Sequence, residues 1–99
     1  MNMYMVHIFP NLLEAKYAFD ETVYVRHHII EHSNRTTLYI QYKDNDVIDI
    51  FVPEPACPER LHGLLVRGFY VSPRCKKVGY LVDYLHCRLR IPDENSNNM

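Results

Sequence analysis

Glycine is scarce in this chain, and its scarcity excludes several kinds of nucleotide site. Only 3 glycines occur among the 99 residues. The P-loop and the dinucleotide-binding pattern G-x-G-x-x-G both need closely spaced glycines, because the backbone must approach the phosphates. Gly63, Gly68 and Gly79 are too far apart for either pattern. The G-x-S-x-G turn of the α/β-hydrolases does not occur in the sequence either, so no nucleophilic serine is indicated.

The sequence also lacks the features of secreted and membrane-spanning proteins. No apolar run approaches the roughly 20 residues that a transmembrane helix needs. The N-terminus has no positive charge ahead of its apolar stretch, which Pro10 and Asn11 interrupt, so we expect no signal peptide. The 3 cysteines are an odd number and form no C-x-x-C pair, whereas small secreted domains usually have an even disulfide set. These features predict a soluble protein in the reducing cytoplasm.

Charge is distributed unevenly along the chain. Residues 1–59 hold four basic and nine acidic side chains (4 − 9 = −5), and residues 60–92 hold seven basic and one acidic (7 − 1 = +6). Such an asymmetric field can steer the encounter with a charged partner. The length of 99 residues is that of one domain. We expect this domain over residues 1–92 and a polar tail over residues 93–99.

The first half of the chain predicts one helix and four strands. Residues 3–9 form the first strand, and Asn11 is placed to cap a helix that ends at about Phe19. Three segments rich in β-branched and aromatic residues follow, separated by short polar turns, which is typical of an antiparallel meander. In the last of them, Ile48, Ile50 and Val52 alternate with other residues and predict one buried face. The three segments are 22–30, 36–42 and 47–52.

The second half predicts a helix from Pro58, with Gly68 as the left-handed residue after its end. Residues 69–72 then predict a short strand. Residues 76–92 fit both a helix and a strand, and we favour a strand from about residue 84, because Gly79 and the preceding cations disfavour a helix start. The elements together predict an α+β fold: an antiparallel sheet of four to six strands with two short helices packed on one face.

The segment from His28 to His32, with Glu31 between them, has the H-x-x-E-H order of one class of zinc hydrolases. On a helix, the two histidines would lie about 6 Å apart and could share one zinc ion. On a strand they would lie roughly 13 Å apart, too far for two zinc–nitrogen bonds of about 2.1 Å. Because the composition of residues 22–30 favours a strand, we expect no metal here. A metal-dependent hydrolase stays an alternative, as does a pH-sensitive histidine surface that also includes His27.

Two further sets of side chains contain metal-ligand atoms without a matching spacing. The cysteines are more typical of small buried hydrophobic residues, and the acidic set belongs to a polar turn with few ligands for magnesium. We therefore expect no catalytic residue, no metal ligand, no cofactor and no enzymatic activity. The two sets are Cys57, Cys75, Cys87, His62 and His86, and Asp44, Asp46 and Asp49.

The strongest functional signal lies between residues 60 and 90, where aromatic residues are interleaved with cations. Such a pattern suits single-stranded nucleic acid, and tyrosine and arginine are also enriched at binding hot spots. Arg67, Gly68 and Phe69 begin like the RNA-recognition strand signature, but Tyr70 and Val71 depart from it, and we infer no such family. The expected partner-binding residues are Arg67, Tyr70, Arg74, Lys76, Lys77, Tyr80, Tyr84, Arg88 and Arg90. The alternative is structural, with tyrosines in the core or on the sheet and arginines at its rim.

These features predict a small non-catalytic interaction module that binds a protein partner. A compact chain without catalytic motifs suits a viral or mobile-element accessory protein that inhibits host machinery. The alternative is a nucleic-acid-binding protein that uses residues 60–90. Sheet edges and aromatic patches also favour a homodimer, and no membrane partner is expected.

Overall fold

The computed structural model describes residues 2–90, and within them a five-stranded sheet is combined with two helices. Short 3₁₀ turns occur at His27–Ile29, Glu54–Ala56 and Glu59–Leu61. The tail expected over residues 93–99 lies outside the described residues. No helix among residues 2–90 is long and apolar enough to cross a membrane. The regular elements are β1 (Met3–Phe9), α1 (Leu12–Arg26), β2 (Ile30–Asn34), β3 (Tyr39–Tyr42), β4 (Val47–Pro53), β5 (Val66–Val71) and α2 (Val78–His86).

The sheet is mixed, with the strand order β2-β3-β4-β1-β5. The strands β2, β3 and β4 form an antiparallel meander, whereas β1 lies between β4 and β5 and runs parallel to both. The α+β class is therefore confirmed, and the five strands lie within the expected four to six. Two helices are present, as expected, although the second lies later in the chain than predicted. The prediction of a wholly antiparallel sheet is wrong, because β1 pairs in parallel with β4 on one side and with β5 on the other. The chain reaches each of these two positions through a crossover connection. Parallel neighbours need such crossovers, and no short turn can make them.

The two faces of β1 carry two separate hydrophobic clusters. Val6 and Ile8 are fully buried in the first cluster, while Phe9 packs against the second, as the alternation of side chains along a strand requires. The helix α2 contributes Leu81 and Leu85 to the first cluster. The helix α1 contributes Ala15 and Phe19 to the second. Packing of both helices on one face of the sheet is thus not confirmed.

The helix α1 begins where the sequence predicts and ends later. Asn11 Oδ1 accepts the backbone N–H of Glu14 at 2.9 Å, which confirms the cap. The helix continues to Arg26, so the strand predicted over residues 22–30 is wrong for most of its length, and β2 begins only at Ile30. Val23 packs against the second cluster, and this tertiary contact outweighs the modest helix propensity of a β-branched residue.

The connection between β4 and β5 differs from the predicted second helix. Pro58 is followed by a single 3₁₀ turn, Glu59–Leu61, whose Leu61 is fully buried in the first cluster. The left-handed glycine after it is Gly63, at φ +82°, and not Gly68. Gly68 lies in β5, where an added Cβ would meet the Met5 side chain at 3.0 Å. Glycine at position 68 therefore serves close packing between strands.

The ambiguous last segment is a helix over Val78–His86, and the strand favoured from residue 84 is wrong. Leu81 and Leu85 are buried one turn apart, at the spacing that a helix presents to a core. Two contacts follow the helix: Leu89 forms an isolated bridge with Val66, and the backbone N–H of Arg90 donates to Val66 O at 2.7 Å. Helical spacing of leucines is therefore the better predictor here, despite the glycine at position 79.

We predict that Leu85→Ala destabilises the fold strongly. The Leu85 side chain is 0% exposed, and truncation of such a leucine costs about 2–5 kcal/mol through lost transfer energy and the cavity left behind. Urea unfolding followed by circular dichroism measures this loss. Leu13→Ala is the matched control, because Leu13 is 77% exposed and its truncation should stay within about 0.5 kcal/mol. Equal losses in both variants would contradict the packing of α2 described above.

Candidate interaction surface

Five of the nine expected partner-binding residues lie on one continuous surface along α2. Lys76 and Lys77 directly precede the helix, Tyr80 and Tyr84 lie one turn apart on it, and Arg88 follows its end. The ring centroids of Tyr80 and Tyr84 are 6.3 Å apart, and the guanidinium carbon of Arg88 lies 4.3 Å from the Tyr84 ring centroid. We refer to these five residues as the α2 surface.

An apolar cleft of about 580 Å³ opens at the N-terminal end of the α2 surface. It lies between the start of α2 and the chain that follows β4, so Tyr80 and the two lysines belong both to the α2 surface and to the cleft wall. Leu81 connects the cleft to the buried core, because it also packs in the first cluster. The cleft is lined by Glu54, Pro55, Cys57, Pro58, Lys76, Lys77, Tyr80 and Leu81.

Glu54 holds the two walls of this cleft together. Its Oε1 accepts the backbone N–H of Lys76 at 2.9 Å and its Oε2 accepts that of Lys77 at 2.7 Å. A carboxylate in this position complements the partial positive charge at the start of a helix. Two lysines at a helix N-terminus are electrostatically unfavourable, and Glu54 offsets this effect while it leaves the lysine side chains free.

Cys57 contributes a neutral group to the cleft. Burial raises the pKa of the Cys57 thiol to about 11, and the neighbouring Cys75 and Glu54 add to the shift. At neutral pH this thiol is therefore protonated, and it behaves as a small apolar side chain. Cys75 is buried, Cys87 is exposed, and all three cysteines are free thiols.

The other expected partner-binding residues do not join the α2 surface. Arg67 lines a separate cavity of about 360 Å³ with Met5, Tyr42 and Asp49, on the sheet face that α1 covers. Tyr70 is on the same face, because its β1 partner is His7 and its ring centroid lies 6.0 Å from that of Phe9. Arg74 Nη1 donates to Glu14 Oε1 at 3.0 Å, and Arg90 Nη1 donates to Leu89 O at 2.8 Å.

The H-x-x-E-H segment is divided between two elements. His28 lies in the 3₁₀ turn after α1, whereas Glu31 and His32 lie in β2. All three side chains are exposed. Within residues 2–90, no group of three or more histidine, cysteine, aspartate or glutamate side chains is arranged to hold a metal ion. The segment therefore offers one or two ligands at most.

A partly buried polar network on the α1 side of the sheet was not anticipated from the sequence. Tyr42 Oη donates to Asp49 Oδ2 at 2.5 Å, and His7 Nε2 lies 3.2 Å from Asp49 Oδ1. The His7 ring stacks on Phe51 at 4.7 Å between centroids. In the sequence, this network is indicated only by one polar residue at a core-facing position in each of β1, β3 and β4. Which of these side chains meet depends on the order of the strands in the sheet.

The network shifts two ionisation equilibria in opposite directions. Burial raises the pKa of Tyr42, and the hydrogen bond to Asp49 with the negative charge of Asp49 raises it further. Burial of Asp49 opposes its ionised form, but the hydrogen bonds from His7 and Tyr42 outweigh this effect, so the pKa of Asp49 lies below its ordinary value. The carboxylate and the neutral phenol thus stabilise each other.

We predict that Tyr42→Phe destabilises the protein at neutral pH by about 1.5–3 kcal/mol, the range for a hydrogen bond to a charged group. Tyr17→Phe is the control, since the Tyr17 side chain is 74% exposed and its change should cost less than about 0.5 kcal/mol. In wild-type protein, the ¹³Cζ resonance of Tyr42 should show a neutral phenol beyond pH 10, about where free tyrosine ionises. The stability due to the raised pKa is complete below that pH and is lost above it. Ionisation of Tyr42 at about pH 10 would contradict the network.

No protein-family model, curated protein or solved structure matches the chain. Its function is therefore inferred from its own surfaces.

Proposed function

We propose that this protein is a non-catalytic interaction module that binds a protein partner through the α2 surface. The observation that supports the proposal is the continuity of cations, two tyrosine rings and an apolar cleft along one side of a helix. Tyr80 is 55% exposed and joins the helix side to the cleft. Tyr84 and Arg88 are half-buried, and Tyr84 also packs against the first cluster. Tyrosine and arginine next to an apolar depression are the usual composition of a binding hot spot.

The cleft favours a protein partner over a nucleic acid. Its volume of about 580 Å³ is typical of pockets that bind organic groups, which run from about 300 to 1,000 Å³. Pro55, Pro58 and Leu81 make it apolar, so it offers little to a phosphate backbone. An apolar side chain of a partner gains free energy there by leaving water.

The distribution of cations points in the same direction. Of the cations of the basic segment, only Lys76, Lys77 and Arg88 belong to the α2 surface, and the exposed Asp83 lies on the same helix. Three cations that neutralise phosphates of a single-stranded nucleic acid release counterions from it, which gives a slope of about −2 in log K against log salt. So shallow a salt dependence corresponds to few phosphate contacts, and nucleic-acid binding is therefore the second candidate function.

Binding of this kind suits an accessory protein that inhibits a partner by occlusion. A non-catalytic protein can inhibit its target by covering part of the target's surface. The α2 surface is the part of this protein that fits such a role. A cytoplasmic setting agrees with three free cysteines. The homodimer expected from the sequence stays a prediction.

We predict that Tyr80→Ala weakens partner binding at least about tenfold, which corresponds to about 1.4 kcal/mol. Peptides selected from a random displayed library on the wild-type protein provide the ligands, and fluorescence anisotropy provides the affinities. Tyr24→Ala is the matched control, because Tyr24 is 81% exposed but belongs to α1. It should leave the affinities unchanged.

Two results would overturn this assignment. Selected peptides that bind Tyr80→Ala as tightly as wild type would show that the partner docks elsewhere. Binding of fluorescent oligothymidylate that weakens with salt and is lost on combining Lys76→Gln with Lys77→Gln, without selected peptides, would replace the protein partner by nucleic acid.

A further inference from the structure

We infer that the cleft beside α2 takes one apolar side chain from an acidic linear segment of the partner, whose carboxylates contact Lys76, Lys77 and Arg88. This inference rests on the proposed function and adds the chemistry of the ligand to it. The occupant is taken to be a linear protein segment, because the cleft and the three cations follow one another along one side of a single helix.

The lining of the cleft explains the apolar anchor. Prolines, the Leu81 side chain and the Tyr80 ring supply apolar contact, and the Cys57 thiol is neutral at physiological pH. Glu54 is the one acidic residue of the lining, and both of its oxygens accept backbone N–H groups at the start of α2. Its negative charge is therefore directed at the helix terminus, and the interior of the cleft favours an uncharged group.

The rim of the cleft explains the acidic flanks. Among the ion pairs formed by residues 2–90, none involves Lys76, Lys77 or Arg88. Glu54 contacts the backbone of the two lysines, so their ammonium groups can meet carboxylates of a ligand. Arg88 lies over the Tyr84 ring, at 4.3 Å from its centroid, and this contact holds the guanidinium beside the helix instead of letting it extend freely.

The side chains of the α2 surface set the spacing within the ligand. The ring centroids of Tyr80 and Tyr84 are 6.3 Å apart, and the guanidinium carbon of Arg88 lies 4.3 Å from the Tyr84 centroid, so it is at most about 11 Å from the Tyr80 ring. An extended peptide covers about 3.3 Å per residue, so about three to four residues bridge this distance. A ligand segment therefore has its apolar anchor beside an acidic residue, with a second acidic residue about four positions away.

Three synthetic peptides test this inference directly. The first has a leucine with an adjacent aspartate and a glutamate four positions away, in an otherwise Gly-Ser sequence. The second replaces the leucine with serine, and the third replaces the two acids with their amides. Binding to the full chain is measured by fluorescence anisotropy. Occupation of the cleft is measured at about pH 9, where a small fraction of a thiol with a pKa of about 11 is ionised and lysine is still mostly charged, by the rate at which iodoacetamide alkylates Cys57, followed by mass spectrometry.

The first peptide should bind and slow the alkylation of Cys57. The serine and amide peptides should each bind at least about tenfold more weakly, and the serine peptide should leave the alkylation rate unchanged. Combining Lys76→Gln with Lys77→Gln should bring the first peptide down to the affinity of the amide peptide. Combining Lys16→Gln with Lys43→Gln removes the same charge elsewhere and should have no such effect.

The outcomes separate the inference from the proposal on which it rests. If the serine peptide binds as tightly as the leucine peptide, or Cys57 is not protected, the cleft is not the anchor site. The inference then fails, whereas docking on the α2 surface stands if Tyr80→Ala still weakens the library peptides. If Tyr80→Ala weakens none of those peptides, the proposed function fails as well.

Discussion

The coverage of both faces of β1, one fully and one partly buried, is the constraint on which the rest of this structure depends. Val6 and Ile8 have no solvent exposure, and Phe9 on the opposite face packs against the second cluster. A strand that is paired on both sides and covered on both faces needs a layer of chain on each face. The helix α1 supplies one layer, and α2 with the 3₁₀ turns after β4 supplies the other. The two helices are consequently separated by the sheet, and so are the side chains that they expose.

Glu54 connects this architecture to the candidate binding surface. The helix α2 has a glycine in its first turn and two lysines before it, so its isolated sequence would begin a helix poorly. The carboxylate of Glu54 satisfies two backbone donors there, and the buried Leu81 and Leu85 fix the helix on the sheet. The α2 surface thus depends on a residue more than 20 positions away in the chain. The contact between Glu54 and the start of α2 therefore cannot be predicted from the sequence of residues 76–92 alone.

The sequence predicts those elements well whose signals are local. The strand β1, the Asn11 cap and the strand β4 follow from apolar runs, a capping residue and alternation, and all three are observed. The single buried face expected for β4 is wrong, because Phe51 on the opposite face is buried in the second cluster. Elements decided by distant contacts are predicted poorly. The continuation of α1 beyond Phe19 is supported by the packing of Val23 against the second cluster, and the position of β1 between β4 and β5 depends on two crossovers that no short sequence pattern indicates.

The candidate site shows the same division between features that local sequence signals indicate and features that depend on distant contacts. The cations and tyrosines of residues 60–90 are visible in the sequence, and five of them do gather along α2. The separation of Arg67 and Tyr70 from that group follows from β5, where the register with β1 shifts between Tyr4 and Met5. Regular alternation would put these two residues, three positions apart, on opposite faces, whereas the shift places both on the α1 side. The cleft was not predictable, because its walls come from segments that are distant in the sequence and meet through the Glu54 contacts and the first cluster.

The net charge of a sequence segment therefore overstates the electrostatic potential of a surface to which only some residues of that segment contribute. Residues 60–92 carry a net charge of +6, yet Arg67 faces the α1 side of the sheet and Arg74 is paired with Glu14. The α2 surface retains three cations, with Asp83 on the same helix. Coulombic attraction between exposed charges is screened over about 8 Å at physiological salt, so these few cations act at short range. In the proposed complex, selectivity for the partner comes mainly from shape and apolar contact at the cleft, and the cations orient the ligand that the cleft anchors.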